Sequence, residues 1–353
     1  MIPHSRPTLS DEEIQAATAV LRSGQIAQGP RVAAFEDEMA RWLGVRGAVA
    51  LSSGTAALHL SLLALGISAG DEVILPSYVC AALYHAVVAA GARPVLAEID
   101  EGSLNLDPDD VKRRLTKKTR AVIVVHSFGL PADPGPFLSL GPPVIEDCAQ
   151  AAGACLPARQ AELNGHPVGS SGQLSIFSFY ATKMFTTGEG GMVATDDPTL
   201  LDRLRDLREY DERDDLKPRM NAKLTDLASA IGLAQLKKLP AFIARRRAIA
   251  GIYRQALAGA PVDLPPDART SGHIYHRFIV RLKREPVDRV IAALEKEEIH
   301  CRRPVYQPLH RLMGLTGFST SERVWQHALS LPCYPSLTDQ EAQCVAATLT
   351  GSL

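Results

Sequence analysis

Residues 175–191 read Ser-Ile-Phe-Ser-Phe-Tyr-Ala-Thr-Lys-Met-Phe-Thr-Thr-Gly-Glu-Gly-Gly, a single lysine inside an apolar, hydroxyl-bearing and aromatic run that closes on glycines. Between Glu162 and Glu189, Lys183 is the only Asp, Glu, Lys or Arg. Poorly solvating surroundings disfavour an ammonium ion, so the free amine needed to attack a carbonyl becomes available near neutral pH. That makes Lys183 a candidate Schiff-base lysine. A lysine whose stem covers apolar surface while its head reaches water fits the same residues, and the stretch alone leaves both readings open.

The flanking sequence sets this lysine in a pattern of alternating strands and helices. Residues 190–195 follow as a predicted strand, and residues 142–147 precede as another, ending on Glu146 and Asp147. One of these acids should face a site at the strand end, where a buried carboxylate needs a cation or hydrogen-bond donors. Asp147 as the N-cap of residues 148–154 is the competing local reading. Further upstream, the predicted strand 47–51 runs into Ser52-Ser-Gly-Thr-Ala-Ala-Leu-His-Leu60. A strand, small residues and a helix start present free backbone N–H groups and a positive dipole end to an anion, which suggests a phosphate cup; any Ser- or Thr-capped turn shares the pattern. Apolar segments 72–75, 94–97 and 121–125 alternate with helical patterns 32–43, 77–90 and 108–115. A capping box, Ser10-Asp-Glu-Glu13, starts a helix at Asp11. Such alternation predicts an α/β fold: a large three-layer domain whose mainly parallel sheet gathers ligands at the carboxyl ends of its strands.

The second half reads differently. A helix over 198–210 and a charged surface loop over 211–218 are followed by helical patterns 221–236 and 241–257, separated at Pro240. A strand over 276–282, a helix over 287–298 and a closing helix from Asp339 complete a smaller α+β unit. The expected division is 1–239 for the large domain, with its N-terminal segment packing on the small one, and 240–353 for the small C-terminal domain.

Composition narrows the function classes. At 353 residues, net charge −1 and pI near 6.8, the chain has no global basic field to draw nucleic acid or an anionic membrane, and Arg245-Arg246-Arg247 reads as a solvated helix face. The six cysteines are far apart and form no CxxC pair, so neither a metal knuckle nor a disulfide framework is expected. With no signal-peptide pattern and no apolar run near the roughly 20 residues of a membrane span, a cytoplasmic protein is expected.

Cup, strand-end acid and isolated lysine occur in that order, and together they are what pyridoxal phosphate needs: donors for its phosphate, a carboxylate for its ring nitrogen and an amine for its aldehyde. The motifs resemble the DegT/DnrJ/EryC1/StrS family of sugar aminotransferases, within the aspartate-aminotransferase-like, fold type I class. The similarity runs from Gly24-Gln-Ile-Ala-Gln-Gly29 and Phe35-Glu36 through Val125-His126, Glu146-Asp-Cys-Ala-Gln150, Ser178-Phe-Tyr-Ala-Thr-Lys183 and Gly188-Glu-Gly-Gly191 to Tyr306-Gln-Pro-Leu-His310 and Leu331-Pro-Cys-Tyr-Pro335.

By position, the resemblance implies pyridoxal 5'-phosphate as cofactor and Lys183 as the Schiff-base lysine and proton carrier. It implies Asp147 at the ring nitrogen, Gln150 at the ring hydroxyl, and Thr55, Ala56 and Ser178 at the phosphate. Asn221 matches an asparagine that the neighbouring subunit contributes, which implies a homodimer with shared active sites. The implied reaction is ping-pong transfer of an amino group from glutamate or glutamine to a keto sugar in nucleotide-linked form. Candidate substrate contacts are His276, Arg302, Tyr306 and His310, with His273 and Arg303 nearby. Two positions depart from the family: Cys80 stands where many members carry an aromatic that stacks on the cofactor, with Tyr84 one helical turn on, and Lys223 replaces an arginine. A sugar dehydratase of the same family, which usually has histidine at the lysine position, and a non-catalytic cofactor-binding regulator are the alternative functions.

Overall fold

The computed structural model describes residues 1–156 and 167–353. Seven strands form one sheet: β1 (Gly47–Leu51), β2 (Glu72–Pro76), β3 (Arg93–Ala97), β4 (Thr119–Val125), β5 (Val144–Asp147), β6 (Leu174–Ser178) and β7 (Gly191–Thr195). Their order is β1-β7-β6-β5-β4-β2-β3. Pairing from β3 to β6 is parallel, and β7 runs antiparallel to both β6 and β1. β1 therefore points the same way as β5 and β6, and the carboxyl ends of all three share one edge of the sheet. Every residue of β1, β2, β5 and β7 is buried, as in a sheet covered on both faces.

A second sheet, β8 (Val262–Asp263), β9 (Phe278–Leu282) and β10 (Ala328–Leu331), has the order β10-β9-β8 and is wholly antiparallel. The helices Val287–Lys296 and Asp339–Ser352 bury their apolar residues in the same core as this sheet. The α/β class with a large mainly parallel sheet and a smaller α+β part is thus as expected.

Three local readings are corrected. Helix does not begin at residue 77 but at Ala82, because Ser77 N–H still pairs with Ala97 O at 2.8 Å and residues 77–81 continue over the sheet edge. The helix expected from residue 221 begins at Asp226, because Ser52 N–H donates to Ala222 O at 2.8 Å and ties the preceding segment to the end of β1. Nor does Pro240 break a helix. Asp226–Ala256 is one helix of 31 residues that contributes Leu236 and Leu239 to one core and Ile249 and Tyr253 to the other. Packing on both sides of the proline outweighs the lost backbone bond. The division expected at residue 240 falls inside this helix. It is also the described helix whose length and apolar composition match a membrane span, and its buried Leu236, Leu239, Ile249, Ala250 and Tyr253 belong to the two cores.

Arg245-Arg246-Arg247 is a solvated face only at Arg247, which is exposed. Arg246 is buried and donates to the carbonyls of His276, at 3.2 Å, and Cys333. Arg245 bonds Asp339 at 2.6 Å, and Arg247 bonds His273 O at 3.1 Å. The long helix is thereby fastened to the second sheet.

The close fit at the strand ends rests on two glycines. A Cβ on Gly191 would collide with Ser53 O and lie 2.6 Å from Gly54 N; one on Gly54 would lie 2.7 Å from Ser178 Cβ. Neither neighbour is a flexible side-chain tip. Gly191→Ala should therefore cost about 2 kcal/mol or more, read as a lower urea midpoint of the cofactor-free protein at unchanged m-value.

Candidate active site

Lys183 lies in a tight turn after β6. Its N–H donates to Tyr180 O at 2.9 Å, Thr187 N–H returns to Phe179 O at 3.0 Å, and Thr186 Oγ1 donates to the same carbonyl at 2.8 Å. Phe179 and Phe185 anchor the turn, with ring centroids 5.0 Å apart and Phe35 beside them. From outside, His276 Nε2 donates to Thr182 O at 3.0 Å. Lys183 is half-buried, and desolvation lowers its pKa below 10.5; Cys80 and Asp147 oppose that shift and Arg277 reinforces it. The amine expected from the lysine's isolation has a physical cause in the fold.

The two acids at the end of β5 face different partners. Glu146 accepts from Gly172 N–H at 2.6 Å, Ser171 N–H at 2.8 Å, Gly169 N–H at 3.2 Å and His126 Nε2 at 3.0 Å. His126 Nδ1 accepts Ala132 N–H at 3.0 Å, which makes Nε2 the protonated nitrogen. Burial alone would raise the Glu146 pKa, but His126 and the backbone donors hold it below the usual value. Cys148 completes a buried group with His126 and Glu146 whose ligand atoms lie within 4.8 Å of one another. The nitrogens and oxygens of that group are already engaged, so it is a brace rather than a metal centre.

Asp147 is buried, and Oδ1 accepts Ala149 N–H at 2.9 Å; residues 148–154 form turns rather than a helix, so this bond closes a local turn and the N-cap reading is corrected. Burial raises its pKa, against the pull of the Ala149 N–H, Lys183 and His126. Gln150 Oε1 accepts from Phe128 N–H at 2.8 Å, beside a left-handed backbone at Phe128 (φ 57°). The Gln150 amide nitrogen has no partner among the described residues.

The cup is formed at the helix Gly54–Ala64. Ser53 caps it, accepting Ala56 N–H on Oγ at 3.0 Å and Ala57 N–H on its carbonyl at 3.0 Å. Gly54 and Thr55 N–H have no acceptor among the described residues, and Gly54 lies against Ser178. Thr55 is exposed and Ala56 half-buried, with its N–H already shared with the cap. Asn221 is exposed, next to the Ala222 that bonds Ser52. Lys223 is paired with Asp211 at 3.2 Å and Glu209 at 3.6 Å.

The remaining candidates separate. His310 is buried, with Nδ1 on Ser77 Oγ at 2.6 Å, Nε2 on Glu322 at 3.2 Å and its ring stacked on Phe318, so both nitrogens are engaged within the chain. His273 is likewise buried, accepting Tyr275 N–H at 3.1 Å, and Tyr84 packs against the core of the large sheet. His276 is buried and braces the lysine turn; burial keeps it well below the ordinary histidine pKa, and its Nδ1 has no partner among the described residues. Cys80 is exposed near Lys183.

Arg302 and Tyr306 line a cleft of about 950 Å³ together with Thr182, Arg277, Arg303 and Trp325. Arg303 is tied to Asp288 at 3.0 Å and stacks on Trp325, whereas Arg302 has no ion pair among the described residues. Arg277 and the His126–Glu146 brace were not singled out from sequence. His126 stood in a quoted motif without a role, and nothing beyond its place after His276 marked Arg277.

A depressed amine, a buried strand-end carboxylate and a glycine-walled helix start on one sheet edge fit pyridoxal phosphate, and with this fold they define a fold type I enzyme dependent on it. The chain matches the DegT/DnrJ/EryC1/StrS aminotransferase family over residues 7–350 and belongs to it. It is 36% identical to a GDP-perosamine synthase of Vibrio cholerae, covering 97% of this chain and 96% of that protein. The PLP form of a sugar aminotransferase from Streptococcus pneumoniae superposes with TM-score 0.92 at 26% identity, over 99% and 98% of the two chains. DesI, solved in the presence of its TDP-sugar product, gives 0.90 at 31% identity over 99% and 92%. The protein is a pyridoxal-phosphate-dependent aminotransferase.

Glu146→Gln puts an amide nitrogen among N–H donors and should cost about 2 kcal/mol or more at pH 7. Because the folded pKa of Glu146 is depressed, its contribution is present above the unfolded value of about 4.3 and lost as pH falls through the folded one. Urea titrations should show the deficit of the variant shrinking below pH 4.

Proposed function

We propose that the amino acceptor is a nucleotide-linked keto sugar and the donor glutamate or glutamine, in a ping-pong reaction. The observation that carries this reading is the position of the Lys183 turn: Thr182 opens onto a cleft of about 950 Å³ whose wall includes the guanidiniums of Arg277 and Arg302. Such a volume is at the upper end for small-molecule sites, and guanidiniums are the side chains best matched to phosphate. The GDP-sugar and TDP-sugar in the names of two relatives support the same substrate class.

Bound pyridoxal phosphate supplies an aldehyde that holds an amino group between the two half-reactions, and an electron sink for the carbanion. The chain's own residues do the rest. Lys183 would hold the aldehyde, and its amine would move a proton at the substrate carbon. Asp147, already desolvated, holds the proton on the ring nitrogen; that cation then offsets the cost of the buried carboxylate. Gln150 offers its amide nitrogen to the ring hydroxyl, while the N–H groups of Gly54 and Thr55 with Ser178 Oγ take the phosphate. Thr55 serves through its backbone N–H, whereas the Ala56 N–H is already given to Ser53 Oγ at 3.0 Å. Asn221, exposed beside the cup, is assigned to the partner's phosphate in a homodimer, and the enzyme is assigned to the cytoplasm. His310 has no part in this reading, because both of its nitrogens are already engaged. Retention of Lys183 argues against the dehydratase, and its joint retention with Asp147 and Gln150 argues against a non-catalytic regulator.

Borohydride reduction of the cofactor-loaded protein followed by peptide mapping should leave the pyridoxyl group on Lys183, and Lys183→Ala should lower turnover of glutamate with a nucleotide keto sugar by at least about 10³-fold. Label on another lysine, or turnover in the variant, contradicts the assignment. Mixing Lys183→Ala with Asn221→Ala protein should recover part of the activity if sites are shared; no recovery contradicts the dimer.

A further inference from the structure

Three guanidiniums converge on the second-sheet side of Lys183, and none has a carboxylate partner among the described residues. Arg246 is buried against backbone carbonyls. Arg302 stands exposed on the cleft wall. Arg277, just before β9, is half-buried on the same wall, and Nη1 donates to His4 Nδ1 at 3.1 Å. Neighbouring cations with no counter-ion are unfavourable where water is partly excluded, unless an anion joins them.

His4 belongs to an N-terminal arm laid along the second sheet. Ile2 N–H donates to Glu298 O at 2.8 Å, and His300 N–H returns to Ile2 O at 3.0 Å. His4 Nε2 meets Ser330 Oγ at 2.9 Å, and Ser330 exchanges backbone bonds of 2.8 and 3.3 Å with Arg302. Burial first, then Arg277 and Arg302, push the imidazole down to about 3, so His4 stays neutral and its Nδ1 lone pair is free to accept from Arg277. Burial first, then Arg246 and Arg302, bring Arg277 down to about 10, which leaves it charged at neutral pH.

The anion that fits is a diphosphate. The cofactor phosphate is provided for elsewhere, at Ser178 and the helix Gly54–Ala64. The cleft is far larger than an amino acid requires, two guanidiniums match two phosphate charges, and Tyr306 and Trp325 line its wall. We propose that Arg277, oriented by His4 of the N-terminal arm, binds the diphosphate of the nucleotide-linked substrate, with Arg302 as its second cation. His4 is a positioning residue, and the arm is part of the substrate site. This inference rests on the nucleotide-sugar reading above.

Binding of GDP to the cofactor-loaded enzyme, followed by calorimetry, tests it without turnover. Arg277→Gln should weaken GDP at least about tenfold while the visible absorbance of the cofactor is retained. His4→Ala should weaken it several-fold, and His4→Gln should restore it, because the amide can accept from Arg277 and donate to Ser330. That pair keeps the test decisive if Arg277→Gln fails to fold. Unchanged GDP affinity in Arg277→Gln overturns the proposal, as does a loss confined to the glutamate half-reaction, which would assign Arg277 to the donor's carboxylate. Equal weakening in both His4 variants overturns the positioning role. If the wild-type enzyme binds none of GDP, TDP and UDP, the nucleotide-linked substrate itself is wrong, a failure distinct from that of Arg277.

Discussion

A desolvated amine and a desolvated carboxylate held on one sheet edge are the constraint on which the rest of this structure depends. Asp147 and Lys183 come from adjacent strands, one at the end of β5 and one a turn beyond β6, and each is pushed toward its neutral form by burial. The fold bears that cost through its backbone. Glu146, next in chain to Asp147, is satisfied by three N–H groups and His126, and the lysine turn is closed by its own hydroxyl and by His276. Reactive groups of this kind are kept in place by neighbours that do no chemistry themselves.

Around that pair the sheet direction sets out two anion-binding regions. Because β1 runs parallel to β5 and β6, its following helix starts at the same edge, with Gly54 against Ser178. On the other side, the start of β9, the end of β10 and the N-terminal arm bring Arg277, Arg302 and His4 to the cleft. The 31-residue helix Asp226–Ala256 holds the two sides together, with Arg246 at the join. On the proposed function, cofactor phosphate and substrate anion would be received by separate devices, the first at the helix start beside Ser178 and the second built from side chains.

The legible parts of the sequence were those governed by local physics. β1, β4 and β7 are apolar runs between turn residues, Ser53 is a cap followed by helix, and Lys183 stood out because no charge lies near it in the chain. What escaped reading was set by contacts distant in sequence. Pro240 looks like a helix stop until two cores pack on its helix. Arg246 sits in a basic triplet yet is buried among carbonyls of residues 276 and 333. His310 lies in a family motif but is used by Ser77 and Glu322. His4 and Arg277 are 273 positions apart, and no periodicity joins them.

The central claim is that burial, opposed by Asp147, sets the basicity of Lys183. The pH dependence of its competitive acylation in the cofactor-free protein, resolved by mass spectrometry against the other lysines, measures this directly. Lys183 should titrate below the ordinary 10.5, and Asp147→Asn should lower it further, because a negative charge that favours the ammonium form is gone. A Lys183 that titrates with the surface lysines, or one that rises in Asp147→Asn, would contradict the account.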